Sequence, residues 1–293
     1  MKHAKWILPL LCCCIAWACR SDNSNPVLAD SRLSIRPDSI APLLDPAGQT
    51  VAARFPAPAG FKRLSADSGS FATYLRGLPL RPAGSPVHLY DGLLKARTDV
   101  HCAVVDLDVG PRNLQQCADA IIRLRAEYLF RQKRYGDIRF KFTNGFVADY
   151  SRWRGGERIR VSGNRAWWVP GEPVSGSYAS FRKYLDVVFT YAGTASLERE
   201  LLPVDPASLQ PGDVWIEGGH PGHAVIVLDV VVASQGEERQ FLLAQSYMPA
   251  QEIHVLRNPA NPGENPWYST AGISDVLETP EWTFCKNCLR RFR

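Results

Sequence analysis

The chain has 293 residues, with 34 Lys+Arg against 29 Asp+Glu, 45% hydrophobic and 22% charged residues. Those proportions exclude a disordered, collagenous or coiled-coil architecture, and the length is ample to bury a core, as one large domain or two small ones. The formal charge of +5 falls to about +3 without Lys2 and Lys5, too mild a balance for nucleic-acid binding.

Met1–Lys5 is basic, and Trp6–Ala18 is apolar without a charge. That apolar run is shorter than the roughly 20 residues a membrane-spanning helix needs. A short basic segment followed by a short apolar one has the pattern of a secretory leader. The Ala18-Cys19 junction resembles the lipobox of bacterial lipoproteins, in which the Cys becomes the lipidated first residue. The resemblance implies a signal peptide over 1–18, lipidation at Cys19, and an exported, membrane-anchored protein on the periplasmic or cell-surface face. An ordinary signal peptide or an N-terminal anchor are the alternatives. Residues 19–55, rich in Ser, Asn, Asp and Pro without periodicity, are expected to be a flexible tether, leaving 56–293 as a single domain.

Along that domain, Ser70–Leu78 has helix spacing with Asp67 or Ser70 as N-cap, stopped by Pro79 and Pro82. Val87–Leu94 and His101–Val109 alternate as strands. Asn113–Lys133 is the clearest helix, with Leu114, Cys117, Ala118, Ile121, Leu124, Leu129 and Phe130 on three- and four-residue steps. Tyr178–Tyr191 reads as a second long helix. After the turn Leu209-Gln-Pro-Gly-Asp213 come three strands, Val214–Ile216, Ala224–Val232 and Phe241–Gln245, and then a loop-rich run to Arg293. Helices first and clustered strands afterwards predict an α+β fold.

Two features bear on chemistry. Cys117 stands near the start of the long helix, where the positive end of the helix dipole favours a thiolate. His223 closes the turn Gly218-Gly-His220-Pro-Gly-His223 and opens a hydrophobic strand, which can aim an imidazole at a thiol on a packed helix. A thiolate–imidazole pair is the minimum for nucleophilic acyl transfer, and a third polar group should orient the ring. If residues 224–232 and 241–246 form a hairpin, Gln245 lies on the same edge as His223.

Leu209-Gln-Pro-Gly-Asp213-Val, the Gly-rich turn and His223 together resemble the core of NlpC-type cell-wall cysteine peptidases of the papain-like clan. That resemblance implies Cys117 as nucleophile, His223 as base and then acid, and Gln245 as the orienting residue. It also implies a Cys-bearing helix packed on an antiparallel sheet, and a peptide or amide substrate such as peptidoglycan stem peptides. The sequence departs from that family in having Gln116-Cys117-Ala118 where Asp-Cys-Ser is usual, and Gln at the third position. Gln115 or Gln116 could join the Cys117 backbone N–H in an oxyanion hole. Over 55–290, segments such as Asn113-Leu-Gln-Gln-Cys117-Ala-Asp-Ala, Tyr191-Ala-Gly-Thr194 and Gln245-Ser-Tyr-Met-Pro-Ala-Gln251 resemble a bacterial lipoprotein family known as domain of unknown function 4846.

Competing assignments stay open at this level. Cys117 could be a small core residue or could pair with Cys102, and His220 could replace His223, whereas His88 and His254 stand in no partner pattern. Cys285-Lys-Asn-Cys288 is expected to be a local disulfide or an inert pair, since two further zinc ligands are missing nearby. Asp106, Asp108 and Asp119 are too scattered to argue a metal, and no cofactor is expected. The Arg/Trp stretch 152–168 could hold a glycan or an acidic peptide, or be a basic face over core tryptophans. Two functional readings follow: a lipid-anchored thiol hydrolase, a peptidase or amidase, or a non-catalytic binding or assembly lipoprotein on the same fold.

Overall fold

The computed structural model describes residues 44–261 and 265–293. The leader, Cys19 and the tether up to residue 43 lie outside the described residues. Among those described, no helix is long and apolar enough to cross a membrane.

The fold is α+β. In chain order it runs α1 (Val51–Arg54), β1 (Phe61–Arg63), α2 (Phe71–Arg76), β2 (His101–Val104), α3 (Cys117–Arg131), β3 (Arg139–Lys141) and β4 (Val147–Asp149). Then follow α4 (Tyr150–Arg154), β5 (Glu157–Ser162), β6 (Arg165–Pro170), α5 (Tyr178–Tyr191), α6 (Thr194–Glu200) and β7 (Leu202–Pro203). The chain closes with β8 (Val214–Glu217), β9 (His223–Ala233), β10 (Arg239–Gln245), β11 (His254–Leu256), β12 (Tyr268–Ser269), β13 (Val276–Glu278), β14 (Thr283–Cys285) and β15 (Leu289–Arg291).

A nine-stranded antiparallel sheet is the frame. Its path is β2-β11-β10-β9-β8-β15-β7, with β1 also on β9 and β12 also on β10. The central strand β9 is a run of Val, Ile and Leu because both its faces are covered. Ala224, Ile226, Leu228 and Val231 lie in the larger core, on which α1, α2 and α3 pack, while Val225, Val227 and Val230 face a second, smaller core with Trp215, Phe241 and Phe284. The change of parity after Leu228 is a β-bulge: Leu242 pairs with Asp229 and Leu243 with Val227, so Leu228 is the extra residue. Asp229, fully buried at this kink, receives the guanidinium of Arg63 at 2.7 Å and that of Arg76 at 2.5 Å.

Local chemistry sets the helix ends. Ser70 caps α2 by accepting from the Thr73 N–H, and Ser177 caps α5 by accepting from Ser180. At α3 the Asp119 carboxylate accepts the Gln116 N–H at 3.1 Å, so the helix starts at Cys117.

Three expectations are corrected. Val87–Leu94 is no strand but a tight turn, closed on itself by the bridge His88↔Leu94 and touching the rest through Leu89↔Gln251. The C-terminal run contributes β11 to β15, too short for a sequence period to register. Folded structure also starts before residue 56: Thr50 caps α1, and Val51 and Phe55 are in the core.

Candidate functional site

Cys117 is the first residue of α3, which packs across β9 near its His223 end. The N–H groups of Ala118, Ala224 and Cys117 face its sulfur, which puts the thiol beside the residue that follows His223. Both groups are buried, at 7% exposure for Cys117 and 2% for His223. From the neighbouring strand Gln245 meets the ring: Gln245 Oε1 lies 2.8 Å from His223 Nε2. The expected hairpin β9–β10 is formed, and the three residues singled out in the sequence stand in one neighbourhood.

The walls around the imidazole are aromatic. Tyr247, Trp282 and Phe284 have ring centroids 5.0, 5.4 and 5.8 Å from it. Beyond Gln245 the polar contacts continue inward. Gln245 Nε2 lies 2.7 Å from Glu281 Oε2 and 3.4 Å from His254 Nε2. Glu281 pairs with Lys95 at 2.8 Å, and His254 Nδ1 lies 2.9 Å from the Glu252 carbonyl. Glu217, which pairs with His223 across β8–β9, accepts the indole N–H of Trp282 and the N–H of Cys285, each at 3.1 Å.

Burial overrules the helix dipole here. It pushes the Cys117 thiol up to about 11, helped by the Asp119 carboxylate and opposed by the surrounding N–H groups. It pushes His223 down to about 4, against the Gln245 hydrogen bond. Asp119 is itself raised well above the carboxylate range by burial, and its Oδ1 has no hydrogen-bond partner. The resting pair is therefore a neutral thiol and a neutral imidazole, not the thiolate expected from helix position.

Of the two glutamines before Cys117, Gln115 is the buried one. Its Oε1 accepts from Arg123 at 3.1 Å, and its Nε2 is a buried donor without a partner. The side chain of Gln116 is instead spent on Asn113, at 3.3 Å.

The competing residues resolve. Cys102 and Cys117 are both free thiols, and Cys285–Cys288 is a disulfide. His220 is exposed on the loop, and His88 bonds Glu252. Asp106 and Asp108 face Arg81 and Arg182, at 3.7 and 3.5 Å, apart from buried Asp119. Among the described residues the one group with metal-ligand spacing is Glu217, Cys285 and Cys288, whose cysteines are consumed by the disulfide. In the 152–168 stretch Arg152 lies over the half-buried Trp168 at 4.8 Å and Arg158 over the buried Trp153 at 4.2 Å, while Trp167 and the arginines 152, 154, 160 and 165 are exposed, a basic face over one core tryptophan.

Sequence reasoning missed Lys95, Glu281, Trp282 and Phe284, and set aside His254, which the structure brings to Gln245. Only Tyr247 stood within reach of a signal, two residues after Gln245. Three cavities, of about 390, 330 and 430 Å³, lie elsewhere, around Arg125 and Phe140, around Phe71 and Gln210, and around His101 and Arg257.

A family model described as Domain of unknown function (4846) matches residues 51–291. No curated protein and no solved structure matches the chain.

Proposed function

We propose, for a chain that belongs to the domain of unknown function 4846 family, that the Cys117 neighbourhood is the active site of a thiol hydrolase acting on a peptide or amide. The fold would be a papain-like variant, and the protein a lipoprotein held to the cell envelope by Cys19. The observation that carries the reading is the 2.8 Å contact between His223 and Gln245 beside a free thiol at a helix start.

In this mechanism the Cys117 sulfur attacks the substrate carbonyl carbon while its proton passes to His223. The oxyanion draws on the Cys117 N–H and on Gln115 Nε2, a buried donor otherwise left unpaired. Arg123 holds the other end of that amide and so keeps the donor in place. The intermediate collapses, the C–N bond breaks, and His223 returns the proton to the leaving amine. Water, deprotonated by His223, then cleaves the thioester and restores the thiol. Because each group alone is pushed to its neutral form, charge separates only as the bond to substrate forms.

The experiment is a panel of peptide amides, including cell-wall stem peptides, incubated with the full chain and read by released amine. Release by the native protein, reduced at least 100-fold in Cys117→Ser and in His223→Asn, is the expected result. Undiminished release in Cys117→Ser sinks the proposal. The same neutrality and burial favour a second reading, a non-catalytic envelope-binding protein. Saturable binding of a panel member without turnover would select it.

A further inference from the structure

We propose that His254 and Glu281 are positioning residues that fix the amide of Gln245 and, through it, place the ring proton of His223 on Nε2. A glutamine by itself cannot do this, because one end of its amide donates and the other accepts. Which end faces the imidazole is decided by what surrounds the opposite end.

Two acceptors surround it. Glu281 Oε2 stands 2.7 Å from Gln245 Nε2, while its other oxygen receives the Lys95 ammonium at 2.8 Å. A carboxylate held in an ion pair only accepts. On the other side, His254 Nε2 stands 3.4 Å from the same nitrogen. The second ring nitrogen of His254 faces the Glu252 carbonyl at 2.9 Å, and a carbonyl only accepts, so Nδ1 carries that ring's hydrogen. Burial keeps the ring neutral, pushing it down to about 3. Nε2 of His254 is therefore a lone pair. Two acceptors on one end of Gln245 are met by the two hydrogens of its NH2 group.

The Oε1 end is then left for His223, and an amide oxygen only accepts. His223 Nε2, 2.8 Å away, must carry the hydrogen. Since that ring is neutral too, its Nδ1 is the basic lone pair. Two buried histidines joined through one glutamine thus hold opposite tautomers, Nε2–H at residue 223 and Nδ1–H at residue 254. The tautomer assignment rests on these contacts together with the burial that keeps both rings neutral. Its consequence, that Nδ1 is the nitrogen available to take the Cys117 proton, rests on the thiol-hydrolase reading.

The test is 15N NMR of the full chain labelled at histidine ring nitrogens, assigned with His223→Asn and His254→Gln, at neutral pH. The expected spectrum has His223 with a pyrrole-type Nε2 and a pyridine-type Nδ1, and His254 with the reverse. Lys95→Met/Glu281→Gln removes both charges together, so neither is left buried alone. It should raise the Nδ1–H population of His223 several-fold, because an amide at position 281 can pair with either end of Gln245. Glu281→Asp, which keeps the carboxylate, should retain the native tautomer. Nδ1–H on His223 in the native protein overturns the proposal, as does a tautomer unmoved by the Lys95/Glu281 double change. The native spectrum decides the question even if a variant fails to fold. Opposite tautomers without hydrolysis of any amide would sustain this inference while failing the enzymatic reading. Where hydrolysis is found, the double variant should lower kcat several-fold with KM unchanged.

Discussion

At Cys117 two physical effects compete, and their magnitudes decide the outcome. A helix N-terminus favours an anion by about 0.3–1 kcal/mol when exposed. Burial opposes the same charge more strongly, carrying the thiol to about 11. Alkylation of Cys117 by a small haloacetamide should therefore titrate far above the ordinary thiol value of about 8.5, and at pH 7 run about 100-fold slower than at an unburied thiol. Peptide mass at each cysteine across pH reads this; a midpoint below 8 would contradict it. His254 offers a stability test. Its folded value is lowered to about 3, below the unfolded value of about 6.5. The unfolded chain binds that proton first as pH falls. This contribution is thus fully present above about 6.5 and is lost on acidification, by about 1.4 kcal/mol per pH unit. Urea denaturation from pH 6 to 4 should give a shallower pH slope, by about one proton, in His254→Gln than in the native chain. Asp229 makes a sharper test: Asp229→Ala leaves Arg63 and Arg76 facing no charge and should cost about 3–5 kcal/mol in the same assay. Cys117, His223 and Gln245 were legible because each sits at an element boundary marked by its neighbours. Glu281 and Lys95 were not, since their pairing spans 186 positions and leaves no local pattern.

Among the elements, the loop before β9 carries a tight constraint. A Cβ on Gly222 would come within 2.5 Å of Thr194 Oγ1 and 2.8 Å of the Glu217 carbonyl, so only glycine lets the loop lie against the start of α6. Gly222→Ala should displace the loop that aims His223 and lower stability by about 2 kcal/mol. Thermal melting and the His223 ring resonances read the two effects, and an unchanged ring environment would contradict the account. Elements with their own signals were well predicted. Helix α5 runs from Tyr178 to Tyr191 as its periodicity and Ser177 cap require, and β9 follows its Val/Ile run. Val87–Leu94 misled because its alternation reflects a turn whose few hydrogen bonds outside itself go to residues 95, 250 and 252. Strands β11, β12 and β15, two or three residues each, exist because β10 and β8 offer them edges to pair with, and β13 and β14 pair with each other; no sequence window sees that.

For the whole molecule, the C-terminal segment closes the site that the middle of the chain builds. Trp282 and Phe284 cover the His223 ring, Glu281 reaches Gln245, and the Trp282 indole and the Cys285 N–H, in the turn closed by the Cys285–Cys288 disulfide, donate to Glu217. So short a covalent loop contributes little to global stability. Cys285→Ser/Cys288→Ser should shift unfolding by only about 1–2 kcal/mol, yet speed amide exchange at Phe284 and Cys285 and at His223 beneath them. Exchange faster at β14 but unchanged at His223 would uncouple the cover from the site. The α+β class was legible from the order of helices and strands; the closing role of the last 20 residues was not, because it depends on which strand edge they reach. The central claim, that Cys117 is a nucleophile served by His223, is tested most directly by trapping the acyl intermediate. The full chain is mixed with p-nitrophenyl acetate at neutral pH and analysed by peptide mass. The account predicts a burst of p-nitrophenol with one acetyl group on Cys117, slowed at least 100-fold in His223→Asn. Acetylation spread over lysines with Cys117 untouched would contradict it.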